Sequence, residues 1–236
     1  MVYAVLVYFA AQILASFIVI VYPHLRGWDR ARGTDWLNNT VTAQFWYVLF
    51  AEAMTIGATW WFVRRRKGSL RAIGWRRPRW FNVVSALAGF FVYFVAYTIL
   101  FTVLTQVFTG IDVNQKQQLG FAHSGGFVNL SLTFISLVAL PPLAEELVFR
   151  GFIFTALRGR MKFVWSAVLT SAIFATAHLQ FGSGAPPLWT AAIDTFSLSL
   201  VLCYLRERND SLWPGIFLHA LKNGIAFVTL FLIHVH

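Results

Sequence analysis

Long runs of apolar residues, separated by short polar and basic stretches, form the main pattern of this sequence. A bilayer core needs about 20 apolar residues per helix. The pattern therefore predicts about seven membrane-spanning helices, within a range of six to eight, at residues 2–22, 41–63, 80–108, 127–157, 163–181, 188–205 and 212–234. We expect an all-α, polytopic transmembrane bundle with a polar intramembrane cavity, formed as a single integral membrane domain by residues 1–236.

The fourth run is too long for one straight span and contains Pro141 and Pro142. Proline removes a backbone donor and clashes with the preceding turn, so this run should kink, or start a new helix, just before Ala144. Irregular backbone at membrane depth is tolerated where it lines a buried or water-filled cavity. The polar residues that follow the prolines are therefore expected to lie at such a place.

Composition and charge agree with a membrane protein. Hydrophobic residues make up 58% of the chain and charged residues 12%, which excludes an ordinary soluble domain. The net charge of +10 comes from clusters between apolar runs, the densest at residues 64–79. This pattern predicts contact with membrane lipid and a cytoplasmic amino terminus, and it argues against nucleic acid as a partner.

The amino-terminal run and the single cysteine narrow the class further. No lysine or arginine precedes Arg26, so the first run lacks the cationic start of a cleaved signal peptide and is expected to stay as a transmembrane helix. Cys203 is the one cysteine, which excludes an intrachain disulfide and argues against a cysteine nucleophile. We expect an integral protein of the cytoplasmic membrane of a prokaryote.

Ionisable residues inside spans are costly and are functional candidates by default. Glu145 and Glu146 lie side by side in an apolar run, with Arg150 four residues after Glu146. That spacing favours an ion pair between Glu146 and Arg150, which we interpret as supporting structure. Glu145 points to another side of the helix, so it needs a proton, water or a group from another helix.

Two later spans supply further polar groups, namely His178 in one and His219 with Asn223 in the other. This set fits water activation by Glu145 and a histidine, with the other histidine and the amide facing an oxyanion. Taken singly, a buried histidine or asparagine more often holds helices together. The combination on three spans favours a catalytic site.

Two more acids lie inside spans. Asp194 is more simply a structural partner for a neighbouring helix than a member of the site. Glu52 has no evident partner in its own span.

The motifs Glu145-Glu146-x-x-x-Arg150, Phe174-x-x-x-His178 and His219-x-x-x-Asn223 resemble those of the CAAX-protease and bacteriocin-processing family of intramembrane proteases (CPBP or Abi). This family includes the Ras-converting type of prenyl endopeptidase, and the similar region covers residues 127–231. The resemblance implies an endopeptidase acting on a membrane-associated protein or peptide, with a prenylated CAAX protein as one option. It also implies that Glu145 and His178 activate water and that His219 and Asn223 hold the oxyanion, while Glu146 and Arg150 order the site.

Two alternatives stay open at this point. Zinc held by Glu145, His178 and His219 is one, although the chain has no His-Glu-x-x-His helix and no cysteine ligand set, so no cofactor is favoured. The other is a non-proteolytic scaffold or transporter that uses the same polar groups for packing or ion movement, although no inverted repeat is visible.

Helix lengths raise one conflict. At about 1.5 Å per residue, Glu145 lies roughly 20 Å from Arg158 and His178 roughly 22 Å from Phe163, whereas His219 lies roughly 10 Å from Leu212. The three side chains meet at one depth if the turn after Arg158 protrudes from the membrane, if the segment that begins at Leu212 is sunk below the surface, or if the predicted span boundaries are wrong, which is the explanation we favour.

Overall fold

A computed structural model describes residues 2–115, 120–121, 125–179 and 186–233. The predicted all-α class is confirmed for these residues. Their helices are α1 (Val2–Leu25), α2 (Arg30–Asn39), α3 (Val41–Arg65), α4 (Trp80–Val107), α5 (Phe127–Arg158), α6 (Phe163–Thr176), α7 (Trp189–Asn209) and α8 (Trp213–Ile233).

Four helices among the described residues, α1, α4, α5 and α8, are long and apolar enough to cross a membrane. The chain is therefore a polytopic helical membrane protein. Helices α3 and α7 are long but more polar, and α6 is apolar but has 14 residues. The total of seven spans thus stays a prediction. The short helix α2 is an addition that the apolar pattern does not indicate, because its residues are mostly polar.

Helix α5 differs from the expectation in how it accommodates Pro141 and Pro142. The helical backbone passes Ala144 without a new start, as part of an α-helical segment at Leu140–Glu145. Wider π-helical turns flank this segment, at Ile135–Ala139 and at Glu146–Phe154. Proline is tolerated in a first helical turn, and π-helical turns are frequent at functional sites.

The chain forms two compact units. The first contains residues 1–70, 119–148 and 220–236, and we call it the glutamate unit; the second contains residues 71–118 and 149–219, and we call it the histidine unit. In the glutamate unit, α3 packs against α1 and against the first part of α5. In the histidine unit, α7 packs against both α4 and α6. The expectation of a single domain stays a prediction.

Helix α4 approaches its neighbours in the histidine unit most closely at Gly89. A Cβ atom at this position would lie 2.8 Å from Cδ1 of Leu218 and 2.9 Å from Cδ1 of Leu205. Tyr93, one turn further along, is buried in the same hydrophobic core as these two leucines. The missing side chain of Gly89 therefore sets the distance at which α4 packs.

Candidate active site

The two adjacent glutamates lie where α5 changes its geometry. Glu145 ends the α-helical segment and Glu146 begins the second π-helical segment. Their exposed fractions are 7% and 0%, so both carboxyl groups are withdrawn from solvent. Burying a carboxyl group costs free energy unless it is protonated or paired, so two adjacent buried glutamates indicate a specific role.

Glu52 of α3 is another buried acid of the glutamate unit, and it interacts with Glu145. It is 5% exposed, its helix packs against Leu140–Glu145, and its carboxyl group interacts electrostatically with that of Glu145. The hydroxyl group of Tyr8 in α1 interacts with both carboxyl groups. The sequence signal for this neighbour was an acid in an apolar run with no evident partner nearby, and its partner comes from another helix.

Asn223 has a specific structural contact in the glutamate unit. Its side-chain amide nitrogen donates a hydrogen bond of 2.9 Å to the backbone carbonyl of Leu137. In a regular α-helix this carbonyl would accept from the N–H of residue 141, which is a proline and has none. The amide thus satisfies an acceptor that the proline leaves open, as the helix-holding interpretation expected; its oxyanion role stays a prediction.

The histidine unit brings three of the predicted side chains to one aromatic ring. Phe174 is fully buried, and the guanidinium carbon of Arg150 lies 4.6 Å from its ring centroid. The His178 ring centroid lies 4.6 Å from the same ring and that of His219 lies 6.0 Å from it. The phenylalanine of the second motif is therefore a packing centre for an arginine and two histidines that come from three different parts of the chain.

His178 lies just beyond a helix end rather than inside a span. Helix α6 ends at Thr176, so the predicted span 163–181 is too long, and residues 180 and 181 lie outside the described residues. The Nδ1 atom of His178 lies 2.8 Å from the carbonyl oxygen of Phe174. Since a carbonyl can only accept, Nδ1 carries the proton, and the lone pair of the neutral imidazole is on Nε2. That tautomer suits a base.

Both histidines contact Phe174, although the sequence predicted that they lie at different distances from the ends of their helices. Leu212, just before α8, is 1% exposed, and its N–H donates a hydrogen bond of 2.9 Å to the carbonyl of Gly74. The start of α8 is thus covered by the loop that precedes α4. Both histidines thus lie beside Phe174, and the depth of the start of α8 in the membrane stays a prediction.

Two further predictions have different outcomes. Asp194 accepts a hydrogen bond from the hydroxyl group of Tyr93 in α4, which supports a structural role. Glu146 belongs to the glutamate unit and Arg150 to the histidine unit, and their ion pair stays a prediction.

Among the described residues, no three His, Cys, Asp or Glu side chains are grouped in the way that would hold a metal ion. The zinc alternative, with Glu145, His178 and His219 as ligands, is therefore left to the chelator experiment below.

On apolar helices, the described residues include the buried Glu145, Glu146, Arg150 and His219 at motif spacing, with His178 half-buried, a set that resembles the motifs of intramembrane proteases. Residues 127–225, somewhat less than half of the chain, match the family model of the type II CAAX prenyl endopeptidase Rce1-like proteins. The predicted resemblance to this family is thereby confirmed, whereas its extent to residue 231 stays a prediction.

Two bacterial relatives are similar over a longer stretch. The chain is 29% identical over 164 residues to the membrane-embedded CAAX protease MroQ of Staphylococcus aureus, covering 66% of this chain and 60% of MroQ. It is 27% identical over 147 residues to YdiL of Bacillus subtilis, which is named as a membrane peptidase, covering 62% of this chain and 56% of YdiL. The chain thus spans less than two thirds of the length of these relatives. No solved structure matches it significantly.

Proposed function

We propose that this protein is an intramembrane endopeptidase that hydrolyses a peptide bond of a membrane-associated protein or peptide. The observation that carries the proposal is the gathering of Arg150, His178 and His219 around the buried Phe174 ring, within the segment that matches the endopeptidase family. A peptide substrate follows from the family, and prenylation of that substrate is one option.

The proposed chemistry uses Glu145 as the general base. Its carboxylate accepts one proton of a water molecule, while Nε2 of His178 accepts a hydrogen bond from the other and orients the water. The resulting hydroxide attacks the carbonyl carbon of the peptide bond, and the proton on Glu145 passes to the leaving amine. Water is thereby split between the two products, and Glu145 returns to the carboxylate form in which it started.

The negative oxygen formed during the attack needs hydrogen-bond donors. We assign an imidazole N–H of His219 and the second N–H of the Asn223 amide to this task, since the first N–H of that amide binds Leu137. Donors held in place before the reaction lower its barrier because they need no reorganisation. Burial of His219 supports this, since its exposed fraction is 4%.

The decisive experiment compares two buried carboxyl groups by the same substitution. Purified protein in detergent would be assayed on prenylated and unprenylated peptides as wild type, Glu145→Gln and Glu52→Gln. Loss of the base is expected to reduce kcat by about 10²- to 10⁴-fold, whereas Glu52→Gln, which replaces a neighbouring buried carboxyl group by an amide of the same size, should retain most of the activity. Full activity of Glu145→Gln or of His178→Ala would overturn the proposal, and a large loss in Glu52→Gln alone would move the base to Glu52.

Two additional arms of the assay address the alternatives. Loss of activity with a chelator, restored by zinc, would favour a zinc-dependent version of the same protease. A scaffold or transporter would show no cleavage of any peptide, and Glu145→Gln would leave the cellular phenotype intact. We further propose that the protein lies in the cytoplasmic membrane of a prokaryote with its amino terminus in the cytoplasm, which reporter fusions at the termini would test.

A further inference from the structure

Four arginines line one small cleft in the histidine unit, beside the first residue of α4. The cleft has a volume of about 290 Å³. Its polar lining consists chiefly of Arg71, Arg76, Arg77, Arg79, Asn209 and Ser211. The proposed peptidase chemistry uses none of these side chains, so the cleft needs an explanation of its own.

The loop that carries the arginines is held in a fixed path. The carbonyl of Gly74 accepts the N–H of Leu212, and the carbonyl of Arg76 accepts the indole N–H of Trp213. Gly74 has φ +87°, and a Cβ atom there would lie 2.6 Å from Nε of the buried Arg206. The backbone thus runs directly over Arg206, where glycine alone fits. The arginine side chains therefore project from an anchored backbone, which lowers the entropy cost of binding a ligand.

The charge of the cleft is strongly positive. One carboxylate, that of Asp210, forms ion pairs with Arg76 and with Arg206. Asp210 is largely exposed, which weakens its effect through screening by water and salt. Four arginines around one cleft therefore keep a large excess of positive charge.

The cleft lies at the end of a membrane-spanning helix. The apolar span of α4 begins at Trp80, directly after Arg79. Trp80 is 79% exposed, and the rings of Trp75 and Trp213 pack nearby with their centroids 5.4 Å apart. Tryptophans concentrate at the level of the lipid headgroups. The arginines are thus at the depth where the phosphate groups of lipids lie.

We propose that this cleft binds the phosphate of an anionic phospholipid headgroup. The planar guanidinium group presents paired N–H donors that match two phosphate oxygens. Nothing in this proposal depends on proteolysis, so it stands or falls separately from the proposed function.

The test is a lipid titration of the purified full chain in detergent, followed by native mass spectrometry, with phosphatidylglycerol against phosphatidylcholine. The cleft variant carries Arg71→Gln, Arg77→Gln and Arg79→Gln and keeps Arg76, which pairs with Asp210. The matched control carries Arg64→Gln, Arg65→Gln and Arg66→Gln. It removes the same charge from side chains that lie over Trp60, Trp61 and Phe62 outside the cleft.

Wild type is expected to retain phosphatidylglycerol in preference to phosphatidylcholine. Because a basic residue near an anionic lipid surface contributes about 1 kcal/mol, the cleft variant should lose about a hundredfold in affinity for the first phosphatidylglycerol, and the control much less. Equal losses in the two variants would reduce the effect to general surface charge and overturn the proposal. Displacement of the lipid by inorganic phosphate at constant ionic strength would identify a phosphate-ion site instead and would also overturn it.

A second variant covers the case in which the cleft variant does not fold. Arg71→Lys with Arg77→Lys and Arg79→Lys keeps the charge but removes the paired donors. A preference for phosphatidylglycerol below that of wild type is expected, and an unchanged preference would overturn the role of the guanidinium groups.

Discussion

Helices α4 and α5 are both long and apolar, yet they bury their residues in different ways. The buried residues of α4 are Asn82, Ala86, Gly89 and Tyr93, a single stripe at helical spacing. In α5, every residue from Ala144 to Gly151 is buried, so this stretch is covered on all sides. The most apolar part of α4 is 11% buried, against 28% for α5.

The difference shows what a membrane helix needs in order to hold charged groups. A helix that presents most of its surface to lipid must avoid charge there, and α4 accordingly exposes no charged residue: its exposed polar side chains are Thr98, Thr102 and Gln106, while Asn82 lies on the packed stripe. A helix enclosed by protein can carry carboxylates and a guanidinium group because its neighbours supply partners. The two helices also differ in regularity, because α5 contains two π-helical segments whereas α4 is α-helical throughout.

The largest loss of stability is expected when the positive charge of Arg150 is removed from the enclosed helix α5. Arg150 is fully buried, with its guanidinium group over Phe174. Arg150→Leu should destabilise the protein by about 3–5 kcal/mol, since removing one member of a buried charged set leaves the others uncompensated. Thermal unfolding in detergent would measure this, with Arg208→Leu, an exposed arginine on α7, as the control. A variant as stable as wild type would show that α5 does not need the charge it buries.

The sequence predicted the apolar helices and the polar residues inside them, but not which helix is exposed and which is enclosed. Hydropathy located the apolar runs and hence seven of the helices, because lipid and protein interior favour the same side chains. For that reason it did not distinguish the exposed α4 from the enclosed α5. The residues Glu145, His178 and His219 stood out because charge or polarity in hydrocarbon is costly.

The rest depends on contacts between segments distant in the chain. No local pattern indicates that Phe174 also contacts His219, that Glu52 interacts with Glu145, or that Asn223 reaches Leu137. The π-helical turns likewise depend on how the whole helix packs.

A smaller effect should follow from the contact that supports the irregular turn of α5. Asn223→Ala leaves the buried Leu137 carbonyl without the amide, which should cost about 1–3 kcal/mol of stability. Pro141→Ala returns a backbone N–H to α5 and should recover part of this stability in the double variant. Unfolding and peptide cleavage would be measured for both single variants and the double variant.

The double variant separates the two roles of Asn223. If the amide acts in catalysis as proposed, the double variant is folded but slow, because an oxyanion donor is worth about 10²- to 10³-fold in kcat. Recovery of both stability and activity would restrict Asn223 to holding α5.

The smallest losses of stability are expected from substitutions in α4. They test whether its buried stripe is the part of the helix that contributes to packing. Gly89→Ala places a methyl group against Leu205 and Leu218, and such overpacking costs about 1–3 kcal/mol; the ends of two leucine side chains can shift, which favours the lower value. Phe91→Leu, on a side chain that is 70% exposed, exchanges one apolar group for another on the lipid-facing side and should leave unfolding unchanged. Equal losses of stability in the two variants would mean that α4 is enclosed in the membrane as α5 is, most simply by a second copy or another protein. The contrast between the two helices would then be a property of the isolated chain.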